Sequence, residues 1–583
     1  MIRSSRNPKA HRFTESPVLQ LALQGWRSRL IGVLLMLSFL LLIVWAFYLQ
    51  VVNREFLQGK GESRYLREIE VLASRGRITD RNGDILAVST PMRSIWMIPA
   101  DARQMSAAQK RKLAALLQVE VREIDGRLAS EKGFVYLKRQ LPPEAAEEVA
   151  KLKLPGLYQE QEYRRYYPAG EMAAHVVGFT GIDDKGLEGV ELAFDHVLVG
   201  HAGMRSVIKD RRGQIVEDVV AMRPPRDGRD VRLALDNKIQ YLAHSQLKAA
   251  VLESRAKAGG AIVVDTRTGE ILALANWPGY NPNKMEKRSG AHLRNRVVTD
   301  SFEPGSTLKP FVAALALENG KYRFGSLVDC APGRLTLGGA TITDAHPHGT
   351  LTVAQVIQKS SNVGVSKMAL SFTPREMWEM YDALGLGQVP HLGFPGEVAG
   401  RLRAWKNWRP IEQATMSYGH GISVSLVQLA RAYTVFARDG DLLPLSLTKV
   451  EQPVLAGKAV FSAQTAREIR AMLEMAVQPE GTAPQARVAS YRVAGKTGTA
   501  YKVEGNAYVK KYVASFVGLA PVSEPRLLVA VMIDEPSVGR HYGGDVAGPV
   551  FSRIMGGALR TLGIPPDAPT VQVAQSVSDK ERL

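Results

Sequence analysis

The sequence is almost free of cysteine, with Cys330 as the single example in 583 residues. One cysteine excludes an intramolecular disulfide, and it also excludes a zinc site built on cysteine ligands. Cys330 is expected to be a small buried apolar residue. His346 and His348 stand two positions apart with no third ligand nearby, so we expect neither a metal site nor a cofactor.

Long apolar runs are equally scarce, because the chain contains a single one. The twenty residues from Leu30 to Leu49 carry no charge, and that is the length a helix needs to cross about 30 Å of hydrocarbon. A cleaved signal peptide would have a shorter apolar core and a small-residue cleavage site, which the following "QVVNREF" does not offer. Residues 30–52 are therefore predicted to form a retained transmembrane helix.

Acidic residues are nearly absent before this span, where Glu15 is the only one. Basic residues dominate there instead: Arg3, Arg6, Lys9, Arg12, Arg27 and Arg29. The positive-inside rule then places residues 1–29 in the cytoplasm and everything after residue 52 outside it. The predicted protein has one anchor and a large extracytoplasmic body.

Nucleic-acid signatures are missing, although a formal net charge of +18 would suit such a partner. The basic excess is spread along the chain, and no helix-turn-helix, finger or RNA-binding motif occurs, so we expect no nucleic-acid partner. An anionic polymer or lipid surface is compatible with the charge. With 45% apolar and 23% charged residues, most of the chain should fold, in about three or four units.

Turn and periodicity signals divide the extracytoplasmic part in two. Before the Pro-rich stretch at 223–230, "RGRITDRNGDILA" predicts a hairpin at Asn82-Gly83, and residues 101–155 have helical spacing. After it, residues 236–258 read as a capped helix and 259–275 as a hairpin. Three further strands and a closing helix are predicted near the C-terminus. This order predicts an α+β fold with a five-stranded antiparallel sheet, flanking helices and a helical insertion.

Ser306 is the first candidate for chemistry, although Ser-x-x-Lys also occurs at four other serines, namely Ser206, Ser245, Ser254 and Ser446. Pro304-Gly305 precedes Ser306 and an apolar helix follows it. The N–H groups and the dipole of a helix start favour a developing anion there. Lys309 lies one turn later on the same face and could act as the base that a serine nucleophile needs.

Two further segments complete a possible site. Lys496 in "GKTGTA" supplies a second cation that would help to keep Lys309 neutral, and "KSSNVG" supplies Ser360 and Asn362. Each pattern alone has a simpler reading as a helix cap, a turn or a strand end. Together, in this order and these contexts, they predict a serine acyl-transfer site.

The motifs "STLK", "SSN" and "KTGT" resemble those of class B penicillin-binding proteins. More narrowly, "RNRVVTDSFEPGSTLKP", "QKSSNVGVSK" and "GGDVAGPVFSRIMGGALRTLGI" resemble the cell-division D,D-transpeptidases (FtsI type) of Gram-negative bacteria, a likeness that covers about residues 20 to 565. Relatives often read "YGYG" where this chain has "YGHG" with His420, and paired aromatics where it has His541-Tyr542. We expect the two histidines to reshape one pocket wall.

The resemblance implies a serine acyl-enzyme that cross-links peptidoglycan stem peptides. Ser306 would attack the D-Ala-D-Ala bond, Lys309 would be its base and Ser360 would relay a proton. Asn362 would bind the peptide, Tyr418 would line the site, and the backbone N–H groups of Ser306 and Thr499 would form the oxyanion hole. The terminal carboxylate would be bound at the third motif, Lys496, Thr497, Gly498 and Thr499.

The resemblance also implies an arrangement of domains and a set of partners. The domains would be a basic tail (1–29), the anchor (30–52), a pedestal (53–230), a transpeptidase domain (231–566) and a flexible tail (567–583). The partners would be stem peptides of lipid-linked nascent glycan, β-lactams as inhibitors, the membrane, a FtsW-type membrane glycosyltransferase and other division proteins. The protein would lie in the bacterial inner membrane with its catalytic domain in the periplasm.

Several alternatives stay open at this point. An elongation-type relative would share the fold and chemistry, although such relatives often have Asp at the position of Asn362. A penicillin-binding sensor or scaffold without turnover would carry the same motifs. A β-lactamase or carboxypeptidase would use water as the acceptor. A bifunctional class A enzyme would need a glycosyltransferase domain, for which the residues before Val231 leave little room.

Overall fold

A computed structural model describes residues 25–57, 66–209, 215–284, 290–452, 456–505 and 507–569. The described residues within 1–71 and 202–225 form one compact unit, and the described residues within 72–201 and 226–583 form another. Most of the predicted basic tail, residues 1–24, and most of the predicted C-terminal tail, residues 570–583, lie outside the described residues.

The first unit contains the predicted anchor and a small sheet. The helix Gly25–Phe47 continues as a π-helical segment, Tyr48–Val52. This helix has a mean hydropathy of 2.8 and buries none of its length inside the protein, and it is the one candidate membrane span among the described residues. The sheet has three antiparallel strands, in the order Leu66–Val71, Gly203–Lys209 and Ile215–Arg223.

The N-terminal part of the second unit is built on one long strand, Ile85–Met97. Its neighbours are Ile78–Thr79, Val135–Leu141 and Leu157–Tyr166, with Val231–Arg232 at the edge. The hairpin at Asn82-Gly83 is confirmed, since Ile78–Thr79 pairs with residues 85–87. The helical prediction for 101–155 is confirmed for Ala107–Leu117, Val121–Leu128 and Pro143–Lys151, but it missed the strand Val135–Leu141.

A buried ion cluster joins distant parts of this region. Arg75 Nε donates to Glu191 Oε2 and Arg165 Nε donates to Glu191 Oε1, both at 2.7 Å. All three side chains are at most 1% exposed. Arg75 Nη1 also donates to Asp195 at 2.7 Å. The surrounding short elements are Gly170–Met172, Ala174–Val177, Phe179–Thr180, Gly186–Glu188, Gly189–Ala193 and Asp195–Leu198.

The C-terminal part of the second unit contains the predicted five-stranded antiparallel sheet. Its strand order is Ile271–Trp277, Ala258–Asp265, Leu527–Asp534, Ala507–Ala520 and Ala494–Glu504. The helices Asn237–Glu253 and Gly543–Thr561 pack on one face, where Leu247 and Phe551 join the strand residue Val531 in a single core. The predicted hairpin, strands and closing helix are confirmed.

The other face carries the helical insertion. Its α-helices are Gly290–Leu293, Arg296–Thr299, Lys309–Glu318, Val353–Lys359, Asn362–Ala369, Pro374–Ala383, Pro410–Met416, Leu426–Ala437 and Ala463–Met475. Small hairpins lie at Leu327–Asp329 with Thr350–Thr352, Arg334–Leu337 with Ala340–Thr343, and Asp441–Leu442 with Lys458–Ala459. Short 3₁₀ turns lie at Gly305–Leu308, Trp405–Asn407 and Pro484–Ala486.

The helix Lys309–Glu318 runs through the middle of this insertion. Its sequence "KPFVAALALE" is apolar on every side, and eight of its ten residues are buried. A helix with this pattern belongs inside a core rather than on a surface. Its first residue is Lys309, so folding this helix carries a lysine into an apolar environment.

Glu191→Gln should destabilise the protein by about 3–5 kcal/mol, because it removes the buried carboxylate that Arg75 and Arg165 share and leaves Asp195 as a partner of Arg75 alone. Urea unfolding of the detergent-solubilised chain, followed by circular dichroism, measures this loss. The matched control is Glu379→Gln, which removes an exposed helical ion pair with Arg375 and should cost about 0.5 kcal/mol or less. Equal losses in the two variants would contradict the stabilising role of the buried cluster.

Candidate active site

Ser306 lies in the tight turn that opens the apolar helix, as its position after Pro304-Gly305 predicts. The 3₁₀ turn Gly305–Leu308 leads directly into Lys309, whose backbone N–H bonds the Ser306 carbonyl. Ser306 is not a helix cap, because Pro304 holds the cap position and no side-chain capping bond forms. Among the described residues nothing hydrogen-bonds the Ser306 hydroxyl, which is partly exposed.

Two glycines let three backbone segments meet at this turn. Gly305 has φ +60°, and a Cβ placed on it would lie 3.1 Å from the Thr499 carbonyl oxygen. Gly419, with φ +84°, packs so closely on Gly305 that a Cβ there would come within 2.3 Å of its backbone. The turn Gly305–Leu308, the strand Ala494–Glu504 and the "YGHG" loop are therefore in direct contact.

The two predicted lysines converge on a single hydroxyl. Lys309 Nζ donates to Ser360 Oγ at 3.1 Å and also to the Ser360 carbonyl, and Lys496 Nζ donates to Ser360 Oγ at 2.9 Å. Ser360 follows the helix Val353–Lys359 in the left-handed region, with φ 62°. Residues separated by 51 and 136 positions in sequence thus form one cluster.

Burial controls the charge of this cluster. Both lysine side chains are completely buried. Burial lowers the pKa of Lys309 well below its usual range, and the Lys496 cation lowers it further, while Asp344 opposes the shift. Burial also lowers the pKa of Lys496, to about 7. A lysine with such a pKa can be neutral at physiological pH, and a neutral amine can accept a proton.

The direct bond that the Ser306–Lys309 spacing suggests is not formed. Lys309 Nζ is instead engaged by the hydroxyl and the carbonyl of Ser360, and the Ser306 hydroxyl has no partner in the described part of the chain. The two side chains nevertheless belong to the same turn.

Asp344 hydrogen-bonds the second motif, Ser360–Asn362, and the sequence analysis did not identify Asp344. Its carboxylate accepts hydrogen bonds from the Ser361 hydroxyl at 2.7 Å and from the backbone N–H groups of Asn362 and Val363. The side-chain amide of Asn362 donates to the Thr343 carbonyl at 2.8 Å. Asp344 follows a hairpin 17 residues before Ser361, and no local pattern indicates that the two meet.

The third motif lies on the strand Ala494–Glu504. Thr497 Oγ1 accepts from Lys496 Nζ at 3.2 Å and lies 3.2 Å from Thr482 Oγ1, another residue that the sequence reasoning missed. Thr499 Oγ1 accepts from the Gly543 N–H at 3.0 Å. A Cβ on Gly498 would lie 2.3 Å from the Ser515 hydroxyl, so only glycine fits at this point of the strand.

Tyr418 and His420 belong to an aromatic cluster beside this turn. Their ring centroids lie 5.1 Å apart, and His420 also faces Tyr508 at 5.7 Å. Burial raises the pKa of Tyr418 to about 12, with a smaller effect of the nearby Glu303 carboxylate. Burial lowers the pKa of His420 to about 4, and the Lys309 charge contributes. His420 is therefore neutral at physiological pH.

His541 belongs to a different ring cluster from His420. It stacks on Tyr512 at 4.0 Å and lies 4.5 Å from Tyr542. The expectation that the two histidines reshape one pocket wall stays a prediction, since their ring contacts in the described residues are to different aromatic side chains. No group of three or more His, Cys, Asp or Glu side chains in the described ranges could hold a metal ion.

Two family models match the chain. The penicillin binding protein transpeptidase domain covers residues 259–556, and the penicillin-binding protein dimerisation domain covers residues 70–233. The chain belongs to the penicillin-binding protein transpeptidase family. This confirms the resemblance inferred from "STLK", "SSN" and "KTGT", and it agrees with the observed five-stranded sheet.

Relatives with similar sequences align with this chain over nearly its whole length. The chain is 46% identical over 541 residues to the "Probable peptidoglycan D,D-transpeptidase PenA" of Neisseria gonorrhoeae, covering 92% of this chain and 93% of the relative. It is 42% identical over 553 residues to the "Peptidoglycan D,D-transpeptidase FtsI" of Escherichia coli strain K12, covering 94% and 93%.

A solved structure supports the fold of the C-terminal part. The transpeptidase domain of Burkholderia pseudomallei penicillin-binding protein 3 is 55% identical and aligns with a TM-score of 0.54. The alignment covers 58% of this chain and 98% of that domain. At this identity the likeness extends beyond the general fold to the sequence of the domain.

Asp344→Ala should slow acylation by penicillin by about 10- to 100-fold, because the Ser360–Asn362 wall loses the carboxylate that positions it. Rapid-quench labelling with a fluorescent penicillin measures the rate. The control is Asp236→Ala, which removes a carboxylate that caps the remote helix Asn237–Glu253. That variant should lose about 1 kcal/mol of stability and keep the wild-type rate. A wild-type acylation rate in Asp344→Ala would show that the wall does not need this anchor.

Proposed function

We propose that this chain is a peptidoglycan D,D-transpeptidase of septal wall synthesis and that Ser306 is its nucleophile. The observation that carries the proposal is the meeting of Lys309 and Lys496 on the Ser360 hydroxyl, while the Ser306 hydroxyl has no hydrogen-bond partner in the part of the chain that the structure describes. The named relatives, all peptidoglycan D,D-transpeptidases, support the reaction class.

Acylation begins when Ser306 Oγ attacks the carbonyl carbon of the penultimate D-Ala. Its proton passes to the neutral amine of Lys309, which the lowered pKa supports. The C–N bond then breaks, and the leaving D-Ala amine receives a proton through Ser360, whose hydroxyl contacts both lysines. The backbone N–H groups of Ser306 and Thr499 bind the oxyanion, a contribution of about 3–4 kcal/mol for each donor.

The donor peptide lies between the two walls. Asn362 binds its backbone amide, and the hydroxyls of Thr497 and Thr499 bind its terminal carboxylate together with Lys496. Gly498 allows the peptide to approach the strand, and Tyr418 closes the site on another side. The close packing of Gly498 and the Lys496–Thr497 hydrogen bond support this arrangement. β-Lactams acylate Ser306 as mimics of the same peptide.

Cross-linking is completed when an amine of a second stem peptide attacks the acyl-enzyme. The new amide bond forms, the bond to Ser306 Oγ breaks, and a proton returns to that oxygen. If water attacked instead, the product would be a trimmed peptide, as in a carboxypeptidase. A sensor or scaffold would keep the acyl group. The full-length likeness to named transpeptidases favours the amine as acceptor.

The arrangement around the membrane is part of the proposal. Residues 53–230 form a pedestal and residues 231–566 the transpeptidase domain, while residues 30–52 anchor the chain with its N-terminus in the cytoplasm. The basic residues before the span support this orientation. The anchor and the pedestal are the surfaces on which a FtsW-type glycosyltransferase and other division proteins bind.

Ser306→Ala should abolish covalent labelling by benzylpenicillin, because it removes the proposed nucleophile. Intact-mass spectrometry of the full chain in detergent, followed by peptide mapping, should find one adduct on Ser306 in the wild type and none in the variant. The control Ser301→Ala changes an exposed serine five residues earlier and should label normally. An adduct on any other serine would overturn the assignment.

Cross-link formation separates a transpeptidase from a sensor. The wild type, supplied with lipid-linked pentapeptide and a FtsW-type polymerase, should produce dimeric muropeptides that chromatography detects, and Ser306→Ala should produce uncross-linked glycan. A wild type that labels with penicillin yet forms no dimers would support the scaffold alternative. Trimmed monomers alone would support a carboxypeptidase.

The proposed orientation and partner surface are tested together. A reporter that is active only in the periplasm should be active when fused after residue 569 and inactive when fused before residue 25. Photo-crosslinking from the pedestal should capture the glycosyltransferase. Deletion of residues 1–52 that leaves the complex intact, with no pedestal crosslink, would refute the proposed surfaces.

A further inference from the structure

The turn that carries Ser306 is held by fewer helical hydrogen bonds than an ordinary helix start. Residue 310 is proline, which has no N–H, so the Ser306 carbonyl cannot receive the usual bond from four residues ahead. It accepts the Lys309 N–H instead, in a tighter 3₁₀ turn. The position of this turn must therefore depend on contacts from elsewhere in the fold.

Tyr433 supplies such a contact next to the nucleophile. It lies on the helix Leu426–Ala437 and is completely buried. Its hydroxyl donates to the carbonyl of Thr307, the residue after Ser306, at 2.5 Å. Thr307 is held a second time, since its own hydroxyl donates to the Pro304 carbonyl at 2.8 Å. The Tyr433 hydroxyl thus contacts the turn Gly305–Leu308 across a sequence separation of 126 residues.

The ring of Tyr433 packs on the helix Lys309–Glu318, which follows this turn directly. It meets the ring of Phe311, two residues after Lys309, edge to face at 5.1 Å and 84°. Phe311 also stacks on Phe436, from the same helix as Tyr433, at 5.1 Å. All three rings are completely buried, so none can rotate without displacing its neighbours. One side chain therefore contacts the chain between Ser306 and Lys309, at Thr307, and again just after Lys309, at Phe311.

From these contacts we propose that Tyr433 is a positioning residue for acylation. Its hydroxyl and ring fix the turn that presents Ser306, and they fix Lys309 within reach of Ser360. Tyr433 touches neither substrate nor the reacting atoms, so it acts only through the placement of Ser306 and Lys309. The inference rests on the proposed role of Ser306 as the nucleophile.

Tyr433→Phe removes the hydroxyl and keeps the ring, so it separates the two contacts. We expect the first-order rate constant for acylation by benzylpenicillin to fall about tenfold, because a displacement well below 1 Å misaligns the attack. The dissociation constant of the non-covalent complex should stay within about twofold. The pH dependence of acylation should keep its midpoints, because Tyr433 does not set the pKa of either lysine.

The matched control is Tyr491→Phe. Tyr491 is also buried, and its hydroxyl donates to the Ile564 carbonyl at 2.6 Å, a residue outside the three motifs and outside the turn that carries Ser306. Both variants should lose a similar amount of thermal stability, whereas only Tyr433→Phe should acylate slowly. Pre-steady-state rate constants do not depend on the fraction of folded protein, so partial unfolding does not obscure the comparison.

Three outcomes would overturn the inference. A wild-type acylation rate constant in Tyr433→Phe would show that Tyr433 is only a core residue, while the Ser306 proposal would stand. A shifted pH midpoint would show that Tyr433 acts on the lysine charges rather than on position. A wild-type adduct on a serine other than Ser306 would overturn both proposals.

Discussion

The site depends on the sharing of one hydroxyl by two buried amines. Two unit charges about 4 Å apart repel by about 4 kcal/mol even at an effective dielectric constant of about 20, and burial adds a desolvation cost for each. Lys309 and Lys496 therefore cannot both be protonated without a large penalty, and the pKa of each is lowered. The fold makes this arrangement possible because the lysine at the start of an apolar helix and the lysine within a central strand are fixed by core packing. Burial, which lowers the pKa of both lysines, is therefore the main reason why an unprotonated amine can be present near neutral pH.

The rest of the architecture brings three distant segments to that pair of amines. The strand Ala494–Glu504 carries Lys496, the helix Lys309–Glu318 carries Lys309, and the turn after Val353–Lys359 carries Ser360. Glycines at 305, 419 and 498 allow backbones to approach where a Cβ would collide. The Asp344 carboxylate accepts hydrogen bonds from the Ser361–Val363 segment, and the Tyr433 hydroxyl donates to the turn that carries Ser306. The reactive groups come from short motifs, whereas their distances come from residues outside those motifs.

The sequence predicts what depends on local signals. Asn82-Gly83 predicts the hairpin, and the apolar runs of the sheet predict its five strands. Pro304-Gly305 before "STLKPFVAAL" predicts the turn that carries Ser306. The strand Val135–Leu141 was missed, because a short mixed segment between helical ones becomes a strand only by pairing with Ile85–Met97. Asp344, Thr482 and Tyr433 were missed for the same reason. Each acts across a long sequence separation, on a partner that no periodicity or spacing identifies. Contacts of this kind become visible only in three dimensions.

The central claim is that this pair of amines carries less than two charges at neutral pH. Heteronuclear NMR titration of lysine side chains in the detergent-solubilised chain tests it directly, with Lys309→Ala and Lys496→Ala used to assign the two signals. The account predicts that the Lys496 signal titrates near pH 7 and that the Lys309 signal titrates well below the ordinary lysine range. Two signals that both titrate near the ordinary lysine pKa of about 10.4 would contradict it.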